Sequence, residues 1–214
     1  TQITEKGQVY TLSEINEITR IAREFKLPVH MDGARFANAL VSLDCTAAEM
    51  TWKSGIDVVS FGGTKNGLMG VEGVIFFDPE KAWEFELRRK RAAHLFSKHR
   101  YLSAQMLAYL ENDLWIELAS KANKAASLLI EGLRNIEKVD FLVEPKANLI
   151  FVTMPAYMHR KAFEKGLEYY TWSEIEGVSD DTPVVSRFVV DWSRSLSDID
   201  KFLEIMRNAA KKEI

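Results

Sequence analysis

One lysine of this 214-residue chain, Lys65, stands where a side chain can do chemistry. It follows the sequence IDVVSFGGT, in which an apolar run with β-branched residues stops at a glycine pair. Such a run, bounded by turn-forming residues, predicts a buried strand that ends in a loop. A lysine in that loop is either a solvated surface charge or an amine nucleophile, and its position alone leaves both interpretations open.

A second stretch, PVHMDGAR at residues 28–35, has the same form: a short apolar strand followed by a small polar loop. Asp32 lies where that strand ends. A lysine and an aspartate at the ends of two strands of an α/β sheet suit a site for pyridoxal 5'-phosphate (PLP). The lysine amine holds the cofactor covalently, and the aspartate keeps the pyridine nitrogen protonated so that the ring accepts electrons. Lys65 and Asp32 are therefore the predicted catalytic and cofactor-binding pair.

The elements around these two residues predict a parallel sheet. Apolar residues at helical spacing indicate a helix over residues 12–26, with a capping box formed by Thr11 and Glu14. The strand that carries Asp32 follows this helix, and the alternation of strands and helices is typical of parallel α/β sheets. Ligands of such sheets bind beyond the carboxyl ends of the strands, where both candidate residues are placed.

The C-terminal half has a different pattern. Amphipathic helices are predicted over residues 101–136, and Ser197 is the predicted cap of the last helix. Residues 1–110 are accordingly interpreted as the C-terminal part of a large parallel-sheet domain, and residues 111–214 as an α+β small domain. Between the helices the pattern predicts strands at residues 141–145, 148–155, 169–174 and 184–192.

The bulk composition excludes several classes of function. The formal net charge is −3 and the sequence pI is about 5.9, so we expect no nucleic-acid partner. The apolar runs are shorter than a membrane span needs, and no membrane association or metal site is predicted. The single cysteine, Cys45, and the polar first residues favour a cytoplasmic location.

The motifs HMDGAR and SFGGTKNG together resemble the low-specificity threonine aldolases, and the resemblance extends to TQITEKGQVYTL and RRKRAAHLFSKHRYLSAQ. These enzymes belong to the β-eliminating lyase group of fold-type-I PLP enzymes. The resemblance implies a PLP-dependent transferase-like fold. It also implies cleavage of L-threonine or L-allo-threonine to glycine and acetaldehyde, and assembly as a homodimer or homotetramer, because PLP sites of this fold form at subunit interfaces.

Five further residues have expected roles, which the resemblance implies for all but Thr64, and each has a plainer alternative. Arg35 and Arg187 are expected to bind the substrate carboxylate, although either is also consistent with a solvent-facing charge. Thr64 is expected to bind the cofactor phosphate, or it is a turn hydroxyl. Arg91 (substrate) and Lys98 (phosphate) match the family by spacing, whereas a basic run such as theirs is also typical of a solvated helix face or an oligomer contact.

The chain begins at Thr1 with a pattern that resembles the middle of an α/β domain, so we interpret it as the C-terminal portion of a larger enzyme. Two alternatives to aldol cleavage remain. A related PLP β-eliminating lyase uses the same Lys65 and Asp32. An incomplete, non-catalytic fragment only packs with a partner chain.

Overall fold

The computed structural model describes residues 2–211. They form two compact units: the first comprises residues 2–4 and 9–119, and the second comprises residues 5–8 and 120–211. The division falls inside a long helix, after Ala119, whereas the sequence pattern placed the domain boundary after residue 110. That boundary stays a prediction.

The first unit contains a three-stranded sheet of strands β1 (His30–Gly33), β2 (Val58–Gly62) and β3 (Glu72–Phe76). β1 and β2 are parallel, with Asp32 opposite Ser60. β3 is antiparallel to β2. The predicted parallel pairing is confirmed for β1 and β2, while β3 makes the described sheet mixed rather than parallel throughout.

The helices of this unit begin and end largely where local signals place them. The predicted capping box of α1 is confirmed, because the Thr11 hydroxyl accepts from the Glu14 amide (3.2 Å) and the Thr11 amide donates to the Glu14 carboxylate (2.8 Å). The sixth helix begins in the first unit and continues in the second. The helices are α1 (Leu12–Glu24), α2 (Phe36–Leu43), α3 (Ala47–Met50), α4 (Ala82–Arg91), α5 (Arg100–Leu110) and α6 (Leu114–Arg134).

Left-handed residues interrupt the long helical region after Pro79 at two places, one at Ala93 and one at Asn112 and Asp113. Ala93 (φ 61°) lies in the segment of residues 92–99 between α4 and α5, and Asn112 (φ 52°) lies between α5 and α6. An L-residue at positive φ cannot continue an α-helix. The basic run is therefore split, with Arg91 at the end of α4 and Lys98 in the non-helical segment.

The second unit has a four-stranded antiparallel sheet in the order β4–β5–β7–β6. Two predicted strands are much shorter than the sequence pattern indicated, since β4 and β6 have two residues each. Pro145, which has no N–H group to donate, lies in the stretch predicted as the first of them. The strands are β4 (Asp140–Phe141), β5 (Leu149–Pro155), β6 (Tyr170–Thr171) and β7 (Pro183–Val189).

Helices α7 (Ala156–Glu164) and α8 (Leu196–Ala210) complete this unit. The prediction that Ser197 caps the last helix was wrong: the cap is Ser195, whose hydroxyl accepts from the Asp198 amide at 3.2 Å. Both serines have an aspartate three positions later, so the capping-box pattern occurs twice. The earlier cap adds residues to the helix and still satisfies its first amides.

Two findings concern membrane-spanning helices and metal-binding clusters. No helix within residues 2–211 is long and apolar enough to cross a membrane. In the same range, no group of three or more His, Cys, Asp or Glu side chains is placed to hold a metal ion.

Candidate active site at the ends of β1 and β2

The two predicted catalytic residues lie at the ends of neighbouring parallel strands. Asp32 is on β1, next to its last residue, and Lys65 lies on the turn that follows β2. Because the strands are parallel, their carboxyl ends share one edge of the sheet, and the structure brings the two loops to that edge. The carboxylate of Asp32 is partly buried, and its Oδ1 accepts a hydrogen bond from the Ala34 amide at 2.9 Å.

Direct backbone contact fixes the spacing of the two loops. A Cβ atom built on Gly62, the last residue of β2, would lie 2.4 Å from the Ala34 carbonyl oxygen and 2.7 Å from that of Gly33. A Cβ on Gly33 would lie 2.7 Å from the Ser60 oxygen. Only glycine permits this approach, so the loop after Asp32 lies directly against the strand end that leads to Lys65.

Lys65 is the central residue of a 3₁₀ turn, Thr64–Asn66. The amides of Asn66 and Leu68 both donate to the Gly63 carbonyl, at 3.0 and 3.1 Å. The Lys65 side chain is exposed, so the turn presents its amine rather than burying it.

Sequence reasoning missed two buried polar residues, one in this turn and one packed against it. Asn66 is 3 % exposed and Tyr109, on α5, is fully buried. The Asn66 amide group donates to the Tyr109 hydroxyl at 2.6 Å and to the Trp115 carbonyl at 2.8 Å. Tyr109 falls within the amphipathic helical pattern predicted over residues 101–136. A hydroxyl among apolar core residues was the available signal, because a buried tyrosine usually has a hydrogen-bond partner.

Thr64 and Arg35 lie close in the chain to the two predicted catalytic residues. Thr64 is exposed, and its hydroxyl donates to the Val71 carbonyl at 3.3 Å, which is the behaviour of a turn hydroxyl. Arg35 is partly buried at the N-cap position of α2. Their roles towards phosphate and carboxylate stay predictions.

The basic residues Arg91 and Lys98 are both exposed. Within the described residues, neither forms a hydrogen bond or ion pair with Asp32 or Lys65. The structure therefore does not join them to the two predicted catalytic residues, and their contacts with substrate and phosphate stay predictions.

Arg187 lies in the second unit, on the exposed side of β7 between the buried residues Ser186 and Phe188. Its guanidinium lies over the ring of Tyr170, 5.0 Å from the ring centroid. Both residues line a cavity of about 620 Å³, and Tyr169 and Arg194 are also among its lining residues. Stacking on an aromatic face restricts an arginine side chain and leaves its in-plane N–H groups able to donate to a carboxylate.

The residues at the sheet edge fit PLP in their chemistry. They supply one partly buried carboxylate and one exposed primary amine from adjacent strand ends. Gly62 and Gly63 add backbone without side chains, and a Cβ on Gly63 would lie 2.7 Å from the Val71 oxygen. Asp32 and Lys65 are thus the residues that can hold the pyridine nitrogen and the aldehyde carbon of the cofactor.

Two known proteins are similar to this chain over most of its length. The chain is 40 % identical over 192 residues to a low-specificity L-threonine aldolase of a Pseudomonas strain, covering 90 % of this chain and 53 % of that protein. It is 36 % identical over 208 residues to the enzyme of the same name from Pseudomonas aeruginosa, covering 97 % of this chain and 57 % of that one. The chain thus spans about half the length of these relatives.

Solved structures show the fold. The threonine aldolase of Leishmania major superposes with a TM-score of 0.84 at 24 % identity, over 97 % of this chain and 59 % of that one. A glutamate decarboxylase of Lactobacillus brevis superposes with a TM-score of 0.70 at 15 % identity, over 100 % and 55 % of the two chains. The fold is that of the fold-type-I PLP enzymes, as the sequence predicted. The family model for beta-eliminating lyases matches residues 1–156, and the chain therefore belongs to the beta-eliminating lyase family.

Proposed function

We propose that this chain supplies the lysine and aspartate of a PLP site in an enzyme that cleaves L-threonine or L-allo-threonine to glycine and acetaldehyde. The observation that carries the proposal is the placement of Asp32 and Lys65 at the same edge of the sheet, one strand apart. The names of the two Pseudomonas relatives support the choice of reaction within the family.

When bound, PLP supplies an electron sink for the pair released when the Cα–Cβ bond of the substrate breaks. The carboxylate of Asp32 holds a proton on the ring nitrogen, and the Ala34 amide that donates to Oδ1 keeps this carboxylate in place. The amine of Lys65 is the group that would hold the cofactor at its aldehyde carbon. The 3₁₀ turn orients the Lys65 backbone.

The arginines orient the substrate in this proposal. Arg187 and Arg35 bind its α-carboxylate, for which a planar guanidinium offers paired donors. The ring of Tyr170 stabilises the guanidinium of Arg187 and reduces the rotamer freedom that binding would otherwise remove. Thr64 and Lys98 bind the cofactor phosphate, and Arg91 contacts the substrate.

The remaining parts of the proposal concern the whole protein. The domain division after residue 110, a cytoplasmic location and assembly as a homodimer or homotetramer all rest on resemblance to the family. Equilibrium sedimentation of the purified chain, with and without PLP, measures the assembly state directly.

The first test is an absorbance spectrum of the chain with PLP, followed by borohydride reduction and peptide mapping. We expect the reduced cofactor on Lys65 in the wild type and no fixation at this position in Lys65→Ala. Lys53→Ala, which removes an exposed lysine of the first unit, is the matched control and should be labelled on Lys65 like the wild type. A wild-type chain that leaves PLP unbound would contradict the proposal and favour a fragment without its own activity.

Product analysis then separates the reactions of the family. Glycine and acetaldehyde from L-threonine indicate aldol cleavage, whereas ammonia and a keto acid indicate β-elimination. Asp32→Ala should retain covalent fixation of PLP to Lys65 and lose turnover by at least about a hundredfold, because the ring nitrogen no longer keeps its proton. Turnover of Asp32→Ala at the wild-type rate would refute the role of this carboxylate.

A further inference from the structure

Both sides of the Lys65 turn contact the same buried hydroxyl group. Asn66, which follows Lys65, donates to the Tyr109 hydroxyl at 2.6 Å. The same hydroxyl donates to the carbonyl of Gly62, before the turn, at 3.4 Å. Tyr109 thus joins the end of β2 to the residue after Lys65, across the turn that carries the amine.

The buried polar groups of Asn66 and Tyr109 form hydrogen bonds with protein groups rather than with water. Asn66 uses both hydrogens of its side-chain amide, since the second donates to the Trp115 carbonyl at 2.8 Å. A buried amide donor or hydroxyl without a partner is costly, so the arrangement is held to one geometry. Burial raises the pKa of Tyr109 to about 12, and the neutral phenol keeps the hydrogen that it donates to Gly62.

Aromatic packing fixes the ring of Tyr109 independently of its hydroxyl. The ring centroid lies 6.0 Å from that of Phe61 on β2, and Phe61 in turn packs edge-on against Trp115 at 5.6 Å. Removing only the hydroxyl therefore leaves the ring in place. Tyr109→Phe is a local perturbation of the turn rather than a cavity in the core.

We propose that Tyr109 and Asn66 are positioning residues that hold the Lys65 turn in the geometry its amine needs. The role of that amine in binding PLP rests on the proposed function. The inference that Tyr109 and Asn66 hold the turn in one geometry does not depend on it. Neither residue needs to touch substrate or cofactor, because both act through the backbone on either side of Lys65.

The first experiment measures the turn in the chain without cofactor, by hydrogen exchange of the Asn66 and Leu68 amides. Both donate to the Gly63 carbonyl inside the turn. Tyr109→Phe removes the hydrogen bonds to Asn66 and Gly62, and Asn66→Ala removes those to Tyr109 and Trp115. Each variant should therefore speed exchange of the two amides by roughly thirtyfold, the effect of two hydrogen bonds. Unchanged exchange in both variants would overturn the proposal.

Two matched controls separate the turn from general effects. Tyr101→Phe removes an exposed hydroxyl from the same helix, α5. Tyr157→Phe removes a buried hydroxyl that donates to the Ala210 carbonyl at 3.0 Å in the second unit. Neither control should change exchange at Asn66 or Leu68. Equal acceleration by Tyr157→Phe would show that any loss of stability loosens the turn, and the proposal would fail.

The second experiment separates placement of the amine from binding of the cofactor. In Tyr109→Phe, the rate at which borohydride fixes PLP to Lys65 should fall about tenfold, since the amine is less well placed. Pyridoxine 5'-phosphate lacks the aldehyde and should bind with unchanged affinity. A weaker affinity for this probe with an unchanged rate of fixation would contradict a positioning role.

The two experiments also distinguish failure of this inference from failure of the proposed function. If the wild-type chain does not take up PLP, the proposed function fails, and the exchange rates of the first experiment still decide whether Tyr109 clamps the turn. If PLP is fixed to Lys65 equally fast in wild type and Tyr109→Phe, the inference fails and the proposed function stands.

Discussion

Adding one methyl group at Gly62 should separate the two loops of the candidate site. In Gly62→Ala the new Cβ would lie 2.4 Å from the Ala34 carbonyl oxygen. A carbon and a carbonyl oxygen normally approach no closer than roughly 3.3 Å, so one of the two backbones must move by about 0.9 Å. The neighbouring atoms belong to the backbone at Gly33 and Ala34, which cannot rotate away as a side-chain end can.

This displacement should lower both the stability of the chain and its turnover. Overpacking of a rigid site costs about 1–3 kcal/mol, and we expect the upper part of that range because backbone meets backbone. A displacement near 1 Å at a catalytic pair lowers the rate by about a hundredfold. The free energy of unfolding of the first unit should thus fall by about 2–3 kcal/mol, and turnover should fall more than this stability loss explains.

The matched control is Gly73→Ala on β3, the strand that pairs with β2. A Cβ there would meet its nearest atoms, on Phe61 and Met106, at 3.7 and 3.8 Å, which is ordinary contact. Because alanine loses less backbone freedom than glycine on folding, this variant should match the wild type or gain up to about 1 kcal/mol.

Urea unfolding gives the change in free energy, and hydrogen exchange at β1 and β2 assigns it to the first unit. If Gly62→Ala and Gly73→Ala unfold at the same urea concentration, the loops are not held by this contact. The argument that Gly62 sets the spacing of Asp32 and Lys65 would then be wrong.

Two further predictions concern the second unit. His159 is fully buried, its Nδ1 lies 3.1 Å from the Tyr169 hydroxyl, and burial lowers its pKa from 6.5. The unfolded chain therefore binds the proton more readily than the folded chain. The contribution of His159 to the free energy of unfolding should be fully present above pH 6.5 and decrease as the pH falls below it. Urea midpoints measured from pH 8 to 5 should show this slope in the wild type and not in His159→Phe. Ser195→Ala removes the cap hydrogen bond with the Asp198 amide and should lower the free energy of unfolding by about 1 kcal/mol. In the same assay, the free energy of unfolding of Ser197→Ala should lie within about 0.5 kcal/mol of the wild-type value.

The parts of the fold that the sequence predicted depend on short-range signals. The helix after Thr11 begins at a capping box with Glu14, a contact over three residues. The strands before Asp32 and Lys65 are marked by apolar runs that stop at turn-forming residues. Each signal lies within a few positions of the element it specifies, so reading the chain locally is sufficient.

The parts that the sequence did not predict depend on choices between equal signals or on distant partners. Ser195 and Ser197 offer the same capping pattern, and only the folded helix shows which one is used. Tyr109 contacts Asn66 from far along the chain, and helical periodicity records only that its position is buried. The identity of its hydroxyl partner is a property of the fold.

In the candidate site, the reactive residue types are visible in short motifs, whereas their relative placement depends on distant partners. The residue types that suit PLP, a lysine and an aspartate after parallel strands, are visible in two short motifs. Their relative placement depends on groups that carry no reactive chemistry: a glycine at the close approach to Ala34, and a tyrosine hydroxyl across the lysine turn. Because Gly62 takes part in both contacts, as the site of the close approach and as the acceptor for Tyr109, its backbone links the aspartate loop to the lysine turn. A change at either contact should therefore alter the placement of the Lys65 amine while the side chains of Asp32 and Lys65 stay the same.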